Sequence, residues 1–195
     1  MNITASQVNE LRKVTGAGMM DCKNALVESQ GDMEKAVDYL RKKGQKVAAK
    51  RADREATEGV IVSKTSADMQ YAAVIMVNCE TDFVAKNEEF KKIAYDIAMH
   101  VAATNPQFLK TEDISEDVRQ KTAAALASEV ADKPEAMREK IMEGKLAAYF
   151  SEQVLLDQPF IKNQDITVAG LIEATVQKFG ERIEIGRYTR FAIGG

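Results

Sequence analysis

The chain has 195 residues, a net charge of −3, 45% hydrophobic and 6% aromatic residues and no Trp, which is enough to bury a core and to hold one large domain or a small one plus a medium one. Prolines fall only at positions 106, 134 and 159, and alanine is abundant, a balance that favours helix over much of the length. Cys22 and Cys79 form no CxxC and suggest reduced thiols, no run of about 18 apolar residues exists, and Met1 to Ser6 carries no basic leader, so secretion, import and membrane spanning are unsupported and a cytoplasmic location is expected.

Residues 1–44 read as three short helices. Thr4 and Gln7 form a capping box ahead of Val8, Leu11 and Val14, which are expected on one face, and Thr15-Gly16-Ala17-Gly18 stops that helix. The second helix runs from Met19 to about Glu28 with Cys22, Ala25 and Leu26 inward. Met19 and Met20 are neighbours on it, about 100° apart, so they cannot both face one core and at least one is expected in solvent. Gly31-Asp32 caps a third helix, in which Ala36, Val37 and Leu40 face in and Gly44 ends the run. The result is a small bundle that resembles the ubiquitin-associated (UBA) three-helix fold.

Between Arg41 and Arg54 seven Lys or Arg stand against one acid, Asp53, so this stretch carries +6 and the remainder −9. The bland reading is a solvated helix end running into a basic linker at 45–58; the sharper one is a contact with RNA or an acidic protein face. No aromatics are interleaved for base stacking, so nucleic-acid binding is not expected.

The pattern then changes to strands. Gly59–Lys64 and Tyr71–Glu80, separated by a polar turn at Ser66-Ala67-Asp68, read as an antiparallel hairpin. The second strand ends in Asn78-Cys79-Glu80-Thr81-Asp82-Phe83-Val84-Ala85-Lys86-Asn87, where an apolar run breaks into an acid beside an aromatic. The ordinary fate of such a Phe is burial under the next helix; rigid flanking elements would equally hold it outward for a partner. That next helix, Asn87–Ala103, places Phe90, Ile93, Ala94, Ile97, Ala98 and Val101 at helical spacing and ends at Asn105-Pro106.

Residues 115–150 read as two antiparallel helices broken at Asp132-Lys133-Pro134, packed on the body or projecting from it. Thr167–Phe179 is a further helix. After Gly180 the alternation from Arg182 to Ile193 is that of a half-buried strand pair or one bent strand. The expected fold is α+β: a bundle at 1–44, a linker at 45–58, and a 59–195 core in which an antiparallel sheet packs with helices and carries a helical hairpin at about 115–150.

None of the eleven glycines forms a Gly-x4-Gly-Lys-Ser/Thr loop, so direct nucleotide binding is not expected. His100 is the one histidine and reads as a packed or surface helix residue. With two scattered cysteines it builds no metal site, and no catalytic constellation or cofactor is expected; the chain does not read as an enzyme.

The corner from Asn78 to Asn87 resembles the Thr-Asp-Phe-Val signature of bacterial elongation factor Ts, the guanine-nucleotide exchange factor of the translational GTPase elongation factor Tu (EF-Tu). Leu11-Arg-Lys-Val-Thr-Gly-Ala-Gly-Met-Met-Asp-Cys-Lys-Asn-Ala-Leu26 is similar to a second signature of that family. Glu143-Gly144-Lys145 and Gln158-Pro159-Phe160-Ile161 look like further segments of it. The resemblance implies a projecting coiled-coil hairpin and binding to EF-Tu in its GDP-bound and nucleotide-free states. It implies that Thr81, Asp82, Phe83 and Val84 act in Mg²⁺ displacement and GDP release, and that Leu11, Val14, Met19, Met20 and Lys23 at the bundle tip rest on the nucleotide-binding domain. Many members are longer and carry two related core units; this chain has room for one and resembles the short form. Short members are thought to work as dimers, for which a sheet edge offers a route. With no cysteine near the C-terminus, a homodimer here would be noncovalent. The alternative is a UBA-like adapter without exchange activity, for which residues 1–44 would suffice.

Overall fold

A computed structural model describes residues 3–131 and 134–194. Met1, Asn2, Asp132, Lys133 and Gly195 lie outside the described residues, so the expected break at Asp132-Lys133-Pro134 is seen only from Pro134 onward. The N-terminal helices are α1 (Ala5–Thr15), α2 (Met19–Glu28) and α3 (Met33–Arg51). The remainder runs β1 (Glu58–Thr65), β2 (Tyr71–Cys79), α4 (Asp82–Ala85), α5 (Glu88–Thr104), α6 (Glu116–Leu126), α7 (Glu135–Gln153), β3 (Pro159–Phe160), β4 (Asn163–Thr167), α8 (Val168–Phe179) and β5 (Glu184–Ala192). It is an α+β fold.

The bundle forms by local rules. The Thr4 hydroxyl accepts the Gln7 amide at 3.3 Å while the Gln7 carboxamide oxygen accepts the Thr4 amide at 3.0 Å, a reciprocal cap. Gly16 ends α1 in the left-handed region at φ 69°, where glycine escapes the Cβ clash. Asp32 starts α3 by accepting the Lys35 amide at 3.1 Å. Val8, Leu11, Ala17, Cys22, Ala25, Leu26, Ala36 and Leu40 close the bundle core.

Helix α3 does not stop at Gly44. It continues to Arg51, so residues 45–51, expected as linker, are helical. The reason is tertiary: Gly44 lies against α8, where a Cβ would come within 3.2 Å of the Gln177 side chain and 3.4 Å of the Glu173 carbonyl oxygen. Glycine here permits a close helix approach, and the packing of Val47 and Ala48 into the main core offsets its propensity cost of about 1 kcal/mol. One helix therefore serves both cores.

The main sheet has the order β1-β2-β5 and is antiparallel throughout. Phe90, Ala94, Ile97, Ala98 and Val101 of α5 meet Ala73, Ile75 and Val77 on one face. Cross-strand register places Ile61, Val74 and Phe191 on the opposite face, where all three are exposed. The C-terminal alternation is one strand with a register shift opposite Met76/Val77, the bend coming at Gly186, where a Cβ would stand 2.7 Å from the Met76 methyl.

His100 is fully buried on α5. Its Nδ1 accepts the Ile161 amide at 3.2 Å and its Nε2 lies 2.8 Å from the Gln158 carboxamide oxygen, so the proton sits on Nε2. Burial lowers its pKa, and the ring serves as a hydrogen-bonded core histidine. It anchors the β3–β4 ribbon, which the sequence pattern did not announce. In the hairpin Arg119 lies over the Phe150 ring while Glu129 pairs with Lys145 at 2.6 Å, so the helices α6 and α7 run antiparallel. No residue of α6 is buried, and the pair is rooted through Ile114, Phe150 and Val154. Among the described residues no helix is long and apolar enough to cross a membrane.

Candidate functional site

The corner after β2 is a single helical turn. Thr81 is extended at φ −128°, ψ 155° and begins α4, in which Val84 and Ala85 turn into the main core. A turn that buries those two carries Asp82 and Phe83 outward, since successive helical residues differ by about 100°. Phe83 is 83% exposed, so the ordinary expectation of burial fails here. Holding it in water forgoes roughly 1.5–3 kcal/mol of burial. Val84, grouped with the contact residues on the sequence, is buried and supports the turn from beneath.

Asp82 pairs with Lys86 at 2.6 Å on the exposed side of the turn. That hydrogen bond holds the Asp82 carboxyl below its usual range and the Lys86 ammonium above its own, so both are charged at neutral pH. The neighbouring Cys79 thiol donates to the Thr81 carbonyl at 3.2 Å, and burial pushes its pKa up to about 11. It is packed and protonated.

Two carboxylates tie the corner to the rest of the chain. Glu181, just after the left-handed Gly180, accepts the Glu80 amide at 3.1 Å, the Thr81 amide at 3.0 Å and the Thr81 hydroxyl at 2.5 Å. Glu80 returns the arrangement, accepting the Arg182 amide at 2.5 Å and pairing with Arg51 at 3.2 Å and Arg54 at 3.0 Å. The Arg182 amide first, then Arg54 and Arg51, hold the Glu80 carboxyl below its usual range. Arg182 also donates to the Arg54 carbonyl and pairs with Glu184. The end of α3, the end of β2 and the entry to β5 thus meet at one polar knot directly before Asp82.

The second set of sequence-nominated residues lies at the α1–α2 turn. Val14, Met19 and Met20 are exposed at 58%, 54% and 64%, and Lys23 is exposed too. Both methionines face solvent. Leu11 does not: it is fully buried and belongs to the bundle core beneath the tip. Asp21 anchors α2, accepting from Lys43 at 2.7 Å and from the Gln177 carboxamide at 3.0 Å, with Lys43 the main cause of its lowered pKa. The two sets are separate surfaces joined by α3, whose first half packs in the bundle and whose last residue pairs with Glu80.

Much of the basic stretch is turned to structural use, with Arg41 on Asp38, Lys43 on Asp21 and Arg51 and Arg54 on Glu80. Sequence reading missed Glu80, Glu181, Arg51, Arg54 and Arg182 as a unit, because its members come from segments up to about 130 residues apart. Among the described residues no group of three or more His, Cys, Asp or Glu could hold a metal ion.

A family model described as Elongation factor TS matches residues 91–195. The elongation factor Ts of Thermodesulfovibrio yellowstonii is 50% identical over the whole of this chain and 98% of its own length. That of Geotalea uraniireducens is 47% identical over the whole chain and 91% of its length, and that of Carboxydothermus hydrogenoformans 48% over 98% of the chain and 89% of its length. The chain therefore spans nearly the full length of these relatives, and the likeness takes in the corner and the bundle tip, which precede the family-model match.

Proposed function

The chain belongs to the elongation factor Ts family of translation elongation factors, and on that premise we propose that it is a guanine-nucleotide exchange factor for EF-Tu, binding the GDP-bound form, displacing Mg²⁺ and releasing GDP so that GTP can enter. The observation that carries the reading is Phe83: an aromatic ring held 83% in water by a turn whose entry is tied to Glu181 and whose exit packs Val84 and Ala85 into the main core. A free surface Phe gains nothing from such fixation. A ring that must enter a partner gains a great deal.

Energetics limit what the corner does alone. Accelerating GDP release about a thousandfold needs on the order of 4 kcal/mol of differential binding between the nucleotide-free and GDP-bound partner. Burying one Phe supplies roughly 1.5–3 kcal/mol. Asp82-Phe83 act as the wedge, and a second surface supplies the remainder; Val14, Met19, Met20 and Lys23 fit that part. Coupling is reciprocal, so GDP weakens this chain's binding by the factor by which the chain weakens GDP.

The test is the rate of fluorescent-GDP loss from EF-Tu with increasing amounts of the chain. A saturable acceleration by the wild type, absent in the Asp82→Ala, Phe83→Ala double variant, is the expected result; wild-type-like exchange by that double variant sinks the wedge. The adapter alternative is disfavoured by α3, because a fragment ending at residue 44 is cut in mid-helix. The exposed Ile61, Val74 and Phe191 on the sheet face opposite α5 favour a noncovalent homodimer. The mass in solution should be twice that of the chain, and Phe191→Asp should halve it.

A further inference from the structure

We infer that Glu181 is a positioning residue for GDP release: with Glu80 it holds the Thr81–Val84 turn in the one geometry from which Phe83 can insert. The inference rests on the exchange reading above. A four-residue helix has no stability of its own, since nucleating a single turn fixes more backbone than its hydrogen bonds return. Ordering four residues at the moment of insertion would consume what the burial of one Phe provides. The turn must therefore be ordered beforehand, and from outside.

The geometry shows where the ordering comes from. A Thr at the start of a helix normally turns its hydroxyl onto the amides of the first turn; that cap is absent from α4. The Thr81 hydroxyl instead donates to Glu181, which takes the Glu80 and Thr81 amides as well. One carboxylate thus satisfies three donors from two successive residues, charge-assisted bonds of the stronger kind. Glu80 does the converse, accepting the amide of Arg182. Each carboxylate fixes the backbone beside the other, so neither segment can swing while the second stays in place. Arg51 and Arg54 on Glu80 extend the brace to the end of α3. Glu181 is distant in sequence from the corner and has no part in the second surface at the bundle tip, so its effect falls on the maximal rate of release and not on the affinity of docking.

The experiment compares Glu181→Ala and Glu181→Gln with the wild type and with Phe83→Ala in fluorescent-GDP release from EF-Tu, fitting the maximal rate and the half-saturating concentration separately, beside hydrogen exchange of the Thr81–Lys86 amides in the free chain. Glu181→Ala should lower the maximal rate about ten- to a hundredfold, with little change in half-saturation, and should speed exchange of those amides. Glu181→Gln keeps an acceptor for the two amides and should stay within about threefold of wild type. Thr81→Val, which removes only the hydroxyl arm, gives an intermediate loss if Glu181→Ala does not fold. A wild-type maximal rate for Glu181→Ala beside an impaired Phe83→Ala overturns the positioning role and leaves the exchange reading intact, as does unchanged amide exchange. Failure of the wild type to release GDP overturns the exchange reading and this inference with it.

Discussion

The bundle tip and the strand-to-helix corner both present apolar side chains to water, but they are held in opposite ways. At the tip, Val14, Met19 and Met20 stand around a turn flanked by Gly16 and Gly18, over an apolar core. Their own contacts fix them little, and methionine adapts its three torsions to whatever it meets. At the corner a single rigid ring stands on a turn tied by Glu80, Glu181, Arg51, Arg54 and Arg182. An adaptable surface suits docking in more than one state of a partner. A fixed ring suits the distortion of one state into another, where a compliant side chain would yield first.

The comparison breaks most readily at Leu11. Its side chain is fully buried, so Leu11→Ala should cost about 2–5 kcal/mol of stability, seen in urea unfolding, with a disordered tip and weakened docking. If that variant keeps wild-type stability, the tip does not depend on the core beneath it. Phe83→Ala comes next. Exchange should fall about ten- to a hundredfold while the melting temperature moves by less than about 2 °C, because surface truncations rarely destabilise. A large drop in melting temperature would mean that the ring is structural and the contrast with the tip false.

The Met19→Ala, Met20→Ala double variant should raise the half-saturating concentration about three- to tenfold and spare the maximal rate. A lost maximal rate would merge the two surfaces into one role. Acid gives the smallest effect. The Glu80 carboxyl is depressed in the folded chain, so its contribution to stability is present above the unfolded glutamate value of 4.5 and is lost as pH falls through the folded value. The melting-temperature gap between wild type and Glu80→Gln should therefore be constant near neutrality and close below about pH 4.5. Asp21, also depressed, is common to both proteins and cancels from the gap; a gap that stays open in acid would remove Glu80 from the corner's support.

What the sequence made legible was local. The Thr4–Gln7 cap, the limits of α2, the β1–β2 hairpin and the Asn87 start of α5 follow from neighbours within a few residues, and the structure has them where the pattern puts them. Val14 shows the limit of spacing arguments: six residues after Val8 is about 120° from a whole number of turns, so it leaves the buried face. Gly44 reads as a stop only while α8 is unknown, since its close approach joins segments some 130 residues apart. The same holds for Glu181, whose chemistry is that of a surface glutamate until Thr81 is placed beside it. Asp82 and Phe83 were legible as an oddity because an apolar run breaks there into an acid beside an aromatic, but spacing alone favours burial of the ring and only the resemblance points outward. The knot that holds them was not, because pairing between remote polar residues leaves no period in the chain.

Gly44 has a consequence for how the molecule can drift or be tuned. It lies seven residues, roughly 10 Å of helix rise, before Arg51, and its backbone runs so close to α8 that a Cβ would stand 3.2 Å from the Gln177 side chain and 3.4 Å from the Glu173 carbonyl oxygen. A side chain larger than a methyl there would act as a shim between two layers, tilting the rod whose far end grips Glu80. On the exchange reading proposed above, the timing of nucleotide release is then open to retuning by a substitution that neither contacts a partner nor alters a charge, at a place no inspection of either proposed surface would lead one to look.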